Sequence, residues 1–238
     1  MRRRFFVEEF TGPSAVIEGD AAHHLGRVLR AQPGQVYELS DGNSVWLGRI
    51  ELVDRNRVDF ALLEQIPAHQ PAVDITLLLS LVKFDAFEWA IEKATELGVT
   101  TIVPLATSRS EKALVAAAGK RSERWKKILL EASQQSRRVR VPFLESPMRP
   151  DQAFGRPQPG ARIMLSERSD AAALRDVLST QKLPQATLAI GPEGGWTQEE
   201  FAASTAAGFR EASLGKLILR TETAVIAALA SLNYALEA

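Results

Sequence analysis

The sequence predicts an α/β protein, in which a parallel sheet flanked by helices follows a small β-rich domain. Three observations carry this. From Asp74 onward, solidly apolar runs (DITLLLSLV, TTIVPL, RIMLSE, ATLAI, REASL) alternate with helical patterns. Runs without polar alternation suit strands buried on both faces, and helices between them make such strands parallel. Before Asp74 the chain reads differently: RRFFVEEF, the two runs of GQVYELSDGNSVWLGRIEL and VDFALLEQI are strand-like, with Asp41-Gly42 as a hairpin turn. Between the two patterns lies IPAHQPAV, Ile66 to Val73, with two prolines. A linker there divides the chain into domains 1–70 and 71–238.

The elements follow in order. In GDAAHHLGRVLRA, Leu25, Val28 and Leu29 have helical spacing, and Pro33-Gly34 ends the helix. One helix among several short strands suggests a small barrel. DAFEWAIEKATELG has Asp85 and Glu88 as an acidic capping box, Phe87, Ile91 and Ala94 on one face, and Gly98 as its stop. RSERWKKILLEASQQSRR turns Trp125, Ile128, Leu129 and Ala132 inward. AAALRDVLST and TQEEFAASTAAG are helices between the later strands. Val225, Leu229, Leu232 and Leu236 form one stripe of the last helix, TETAVIAALASLNYALEA.

Composition excludes several chemistries. The chain of 238 residues has no cysteine, which rules out disulfides, iron–sulfur clusters, thiolate zinc sites and a cysteine nucleophile. MRRRFFVEEF lacks the apolar centre of a signal peptide, and no run approaches the roughly 20 apolar residues of a membrane helix. A cytoplasmic protein without membrane contact is expected. His23 and His24 are adjacent and so point to different helix faces, and no metal spacing occurs. Lys plus Arg and Asp plus Glu are both 29, yet residues 106–142 hold ten basic and three acidic residues. An excess confined to one stretch favours contact with phosphates over a solvated face.

In a parallel sheet, ligands bind beyond the carboxyl ends of strands. Three loops there have unusual content: SER after RIML, GPEGGW after ATLAI, and GKLILRTET after REASL. GPEGGW precedes a capping box, Thr197 with Glu200. It matches neither common phosphate-loop spacing, and Glu193 among its glycines disfavours a dianionic phosphate. A ligand that is cationic or carries hydroxyls and amines suits it, as S-adenosylmethionine does. The stretch KLILR reads either as an ordinary strand or as part of the same ligand loop.

IGPEGGWTQEE together with SLGKLILRTETAV resembles the paired C-terminal motifs of the ribosomal RNA small-subunit methyltransferase E family, a bacterial branch of the SPOUT methyltransferases. RRFFV, HHLGRVLRAQPGQ, KFDAFEWAIEKATELGVTTIVPL and SQQSRRVRVP are similar to that family's segments in the same order. The resemblance implies a SPOUT-type knotted parallel sheet in residues 71–238, with a C-terminal trefoil knot, after a PUA-like RNA-binding β-barrel in residues 1–70. It implies S-adenosylmethionine-dependent methylation of uridine N3 in 16S rRNA and a homodimer formed through the C-terminal domain. It places the cofactor among three late loops: Leu165, Ser166 and Glu167; Gly191, Pro192, Glu193, Gly194 and Gly195; and Leu214, Gly215, Leu217, Ile218, Leu219 and Thr223.

Methyl transfer to a uracil nitrogen must stabilise negative charge developing on the ring, and a cation serves that role. Arg220 and Arg138 are the candidates, with Arg4 a third from the N-terminal domain. Family members often carry Glu where this chain has Gln134, so the general base is left open, with Glu222 a weak candidate. Arg4, Arg27, Arg30, Lys126, Lys127 and Arg137 are expected to contact RNA, either free 16S rRNA or the small ribosomal subunit. The alternatives are a SPOUT methyltransferase for another RNA target, or a non-catalytic RNA-binding protein of ribosome assembly. Affinity for S-adenosylmethionine separates these last two.

Overall fold

The computed structural model describes residues 3–157, 159–178 and 185–236. The Leu236 side chain and residues 179–180 of AAALRDVLST lie outside the described residues. The chain divides into two compact units, Met1–Gln70 with Ser133–Val141, and Pro71–Ala132 with Pro142–Ala238. The sequence pattern at Gln70 marks the linker between them. It gives no sign that residues 133–141 pack with the first unit.

The first unit is built on a curled six-stranded sheet. Its strands are β1 (Arg4–Phe6), β2 (Phe10–Thr11), β3 (Ser14–Glu18), β4 (Val36–Ser40), β5 (Val45–Val53) and β6 (Arg57–Ile66), in the order β1-β4-β5-β6-β3-β2. Asp41 closes the β4–β5 turn, its Oδ1 accepting from the backbone N–H groups of Asn43 at 2.8 Å and Ser44 at 2.7 Å. This is the local bonding that makes Asp a turn residue. The expected helix is α1 (Gly19–His23), running into a π-helical turn at His24–Val28. It buries Ala22 and Leu25 against Phe5, Leu39, Val58 and Phe60. A Cβ at Gly48 of β5 would lie 2.4 Å from the Leu39 side chain, which would have to shift to admit it.

The second unit carries seven parallel strands: β7 (Asp74–Ser80), β8 (Thr101–Leu105), β9 (Phe143–Leu144), β10 (Ala161–Leu165), β11 (Ala172–Ala173), β12 (Gln185–Ile190) and β13 (Arg210–Ser213). Their order is β11-β13-β10-β12-β7-β8-β9. The helices are α2 (Phe84–Glu96), α3 (Lys112–Gln135), α4 (Pro150–Phe154), α5 (Leu174–Leu178), α6 (Gln198–Ala206) and α7 (Thr221–Leu236). Leu78, Val103, Met164 and Ala189 from four adjacent strands pack with Phe154, Trp196 and Phe209. Phe87, Ala90, Ile91 and Ala94 of α2 are buried, as are Val225, Ala228, Leu229 and Leu232 of α7, and the two helices touch.

Two local expectations are corrected. α2 begins at Phe84 after Lys83, with no side-chain cap. Glu88 instead accepts Arg124 Nε with both oxygens at 2.8 Å. A charge-assisted fork is stronger than a backbone cap, and α3 supplies the arginine. α3 itself starts at Lys112, about two and a half turns before RSERW, because the leucine and four alanines of KALVAAAGK are strong helix formers.

Candidate functional site

β13, β10 and β12 lie side by side, and the loops leaving their carboxyl ends enclose a cavity of about 350 Å³. Ligand pockets run from roughly 300 to 1,000 Å³. The cavity is lined by Leu165–Arg168 from the first loop, Ile190–Trp196 from the second and Ser213–Leu219 from the third, with Arg109, Phe201, Thr221 and Ala224 completing it.

The glycine loop is fixed by its backbone. Gly195 has φ +70°, and its N–H donates to the Pro192 carbonyl at 2.8 Å. A Cβ on Gly191 would stand 3.0 Å from the Trp196 ring. Trp196 is buried and donates Nε1–H to the Leu165 carbonyl at 2.9 Å, tying the second loop to the end of β10. The predicted capping box then opens α6: Thr197 Oγ1 accepts the Glu200 N–H at 3.3 Å, and Glu200 Oε2 accepts the Thr197 N–H at 2.8 Å. Glu200 Oε1 also takes the Ser108 N–H at 2.8 Å, which brings in a fourth loop from the end of β8.

The third loop is irregular, so KLILR is not a strand. Ser213 Oγ donates to the Gly215 carbonyl at 3.0 Å, and Gly215 has φ +130°. Leu217 and Ile218 are 83% and 79% exposed. They present aliphatic surface at the cavity, in the third of the loops where the resemblance places the cofactor. Thr221 at the start of α7 donates its hydroxyl to the Gly191 carbonyl at 3.3 Å, joining the third loop to the second.

Charge around the cavity is mixed. Glu167 and Glu193 are exposed on its rim. The Arg168 guanidinium lies 5.2 Å over the Phe201 ring and pairs with Asp170 at 3.1 Å and Glu211 at 3.7 Å. Arg109 donates Nη1–H to the Gly194 carbonyl. Glu199 is held below the usual carboxylate range by its own backbone N–H, then by the Thr197 hydroxyl, with Arg109 adding a smaller pull.

Of the cofactor residues expected from sequence, Leu165, Ser166, Glu167, the whole run Gly191–Gly195, Leu214, Gly215, Leu217, Ile218 and Leu219 line this one cavity. Thr223 is exposed and does not; Thr221 does, one half-turn earlier on α7. Arg220 is exposed and Glu222 half-buried, and neither is in the lining. Arg138 belongs to the first unit, where burial lowers its guanidinium to about 10 and Nε donates to the Arg140 carbonyl at 3.1 Å. Arg4 is buried, not presented to a ligand: Nη2 pairs with Glu38 at 2.9 Å and Nη1 donates to the Arg137 carbonyl. Arg27, Arg30, Lys126, Lys127 and Arg137 are exposed. Arg109, Trp196 and Arg168 were not expected at the site. TSRS follows a parallel strand, and that position is the signal that marks Arg109. Among the described residues no group of His, Cys, Asp or Glu is arranged to hold a metal, and no helix is long and apolar enough to cross a membrane.

Residues 69–233 match the RNA methyltransferase domain family, and residues 17–63 match the RNA methyltransferase PUA domain. The ribosomal RNA small subunit methyltransferase E of Synechocystis is 37% identical over 90% of this chain and 71% of its own. That of Bacillus subtilis is 30% identical over 99% of this chain and 97% of its own. The crystal structure of the Neisseria gonorrhoeae ribosomal RNA small subunit methyltransferase E bound to S-adenosyl methionine superposes with a TM-score of 0.88. It is 30% identical, covering 99% of this chain and 98% of that one. The chain belongs to the ribosomal RNA small subunit methyltransferase E family, and its fold is of the SPOUT type with a PUA-like N-terminal half-barrel.

Proposed function

We propose that this chain transfers a methyl group from S-adenosylmethionine to N3 of a uridine in 16S rRNA. The observation that carries the reading is the cavity beyond β10, β12 and β13, where an acid-bearing glycine loop faces exposed aliphatic side chains. The residues fit the cofactor. Gly191 and Gly195 leave the backbone open where a side chain would strike Trp196 or strain a positive φ. Leu217, Ile218 and Leu219 suit the faces of an adenine, and Glu167 and Glu193 suit a ligand with a sulfonium and an ammonium. Bound there, the cofactor supplies an electrophilic methyl group. The chain's own part is to hold the ring nitrogen in line with it, and such positioning supplies much of the rate.

Membership of the family supports a wider reading. Residues 1–70 form the RNA-binding domain, and residues 71–238 the methyltransferase domain with a C-terminal trefoil knot. Two copies pair through the second domain. No metal and no membrane take part, and the reaction runs in the cytoplasm, where ribosomes are assembled. The substrate is 16S rRNA, free or within the small ribosomal subunit.

The test is mass spectrometry of nucleosides after incubating the protein, S-adenosylmethionine and small-subunit rRNA. The expected product is 3-methyluridine. A 2′-O-methylated nucleoside, or methylation of tRNA alone, would assign another RNA target. Failure to bind S-adenosylmethionine in calorimetry would leave a non-catalytic RNA-binding protein.

A further inference from the structure

The cations that line the cavity are Arg109, Arg168 and Lys216. They differ in how they are held. Arg168 is committed to Asp170, Glu211 and the Phe201 ring. Lys216 stands on a flexible stem in an exposed turn beside Gly215. Arg109 is held firmly and carries no ion pair: among the described residues no carboxylate lies within ion-pair distance of it. Its turn is braced on every side. The Ser110 N–H donates to the Thr107 carbonyl at 3.1 Å, and the Thr107 and Ser110 hydroxyls are 2.7 Å apart. Ser110 Oγ donates to the Leu81 carbonyl at 2.7 Å, and the Ser108 N–H donates to Glu200 at 2.8 Å. One N–H of the guanidinium is fixed on the Gly194 carbonyl, which leaves its other donors for a ligand.

Position decides which ligand. β8 lies two places from β12, on the side away from β10 and β13. Arg109 therefore reaches the cavity across the glycine loop, opposite the two loops that complete the cofactor cradle. It is exposed, open to an incoming substrate. We propose that Arg109 is a catalytic residue whose guanidinium donates to a uracil carbonyl oxygen and stabilises the negative charge that develops as N3 loses its proton. This rests on the methyltransferase reading above. The N3 proton leaves to water, the N3 lone pair forms the bond to the methyl carbon, and the carbon–sulfur bonding pair stays on sulfur. A preorganised donor at developing charge, in a site partly closed to water, strengthens such a step. The planar fork is held by one contact and presents further donors to the substrate, which a lysine does not reproduce.

The charged groups that share the cavity with Arg109 are Glu167, Arg168, Glu193 and Lys216, and Glu199 of α6 lies near enough to feel its charge, while Glu200 is bound to the neighbouring Ser108 N–H. A cation at the carbonyl favours the ring anion, so it lowers the pH at which the rate rises. Removing it moves that rise to higher pH.

The experiment is single-turnover methylation of small-subunit rRNA across pH 6 to 10, with calorimetry of S-adenosylmethionine, for wild type, Arg109→Ala and Arg109→Lys. Arg109→Ala is expected to bind S-adenosylmethionine within about threefold of wild type. Its rate near neutral pH should fall by roughly a hundredfold, the scale for losing one such donor, and the deficit should shrink as pH rises. Arg109→Lys should recover little. An Arg109→Ala profile parallel to wild type at every pH overturns the assignment, as does a loss of cofactor affinity that matches the loss of rate. If wild type binds the cofactor but yields no 3-methyluridine, the methyltransferase reading falls, and this assignment with it.

Discussion

At the scale of single residues, Gly195 is where backbone geometry and chemistry meet. Its φ of +70° closes the turn that returns its N–H to Pro192, and a Cβ there would have room, with Arg109 Nη1 3.8 Å away as its nearest neighbour. The obstacle to a side chain is conformation, not space. A left-handed residue with a Cβ costs about 1–2 kcal/mol, and a β-branched one more. Gly195→Val should therefore weaken S-adenosylmethionine binding at least about tenfold, since 1.4 kcal/mol is a factor of ten. The circular dichroism spectrum should stay unchanged. Calorimetry that returns wild-type affinity would show that the loop tolerates another backbone. The glycines, the late aliphatics and the capping box were legible in the sequence because short-range spacing encodes them. Arg109 was not, since only the sheet order brings the end of β8 to a loop that lies 85 residues further along the chain. Arg4 was misread for the same reason: its partner Glu38 is 34 residues away, and sequence does not show a buried pair.

At the scale of elements, Glu200 links two of them. It caps α6 through Thr197 and holds the β8 loop through Ser108, and it is buried. Glu200→Ala leaves both part-buried N–H groups without this acceptor, at a cost of about 1–3 kcal/mol in all. Thermal melting should shift down by several degrees, roughly 2–4 °C per kcal/mol for a domain of this size. A melt superimposable on wild type would mean that water replaces the carboxylate. α3 tests a different matter. Its arginines Arg121 and Arg124 are drawn to Glu88, so less of the basic stretch is available than its composition suggests. Lys126 and Lys127 are exposed, and among the described residues pair with Glu123 at 2.8 Å and Glu131 at 4.0 Å. Surface pairs of this kind are worth little and yield readily to a phosphate. Arg137 is a poorer choice for charge reversal, because it lies 3.6 Å from Glu38 and a carboxylate there would repel it. Lys126→Glu with Lys127→Glu should reduce the slope of log affinity for rRNA against log salt by about two, one per lost phosphate contact. An unchanged slope in filter binding would leave these lysines as a solvated face.

At the scale of the whole molecule, element type and order were largely readable, because parallel strands and amphipathic helices impose different periods. α4, within MRPDQAF, and the two-residue strands β9 and β11 were not, since elements that short carry no period. The packing of 133–141 with the first unit was hidden too, because long-range pairing leaves no local pattern. The last helix bears on assembly. Its inner stripe, Val225, Ala228, Leu229 and Leu232, is fully buried within the chain. That stripe explains only part of its apolar character. Ile226, Ala230 and Tyr234 follow i, i+4 spacing on another face, where Ala230 is exposed and Tyr234 is 90% exposed. An exposed aromatic ring in line with Ile226 and Ala230 suits a surface that meets a partner. A homodimer is therefore expected at micromolar concentration in sedimentation velocity. Ala230→Glu with Tyr234→Lys should shift it toward monomer, because charges on both turns of that face must be desolvated for the copies to meet. These positions lie off the buried stripe, so the melting of the monomer should change little. If wild type sediments as a monomer, pairing through α7 is wrong. If wild type is a dimer and the double variant dimerises as tightly, the copies meet through another surface.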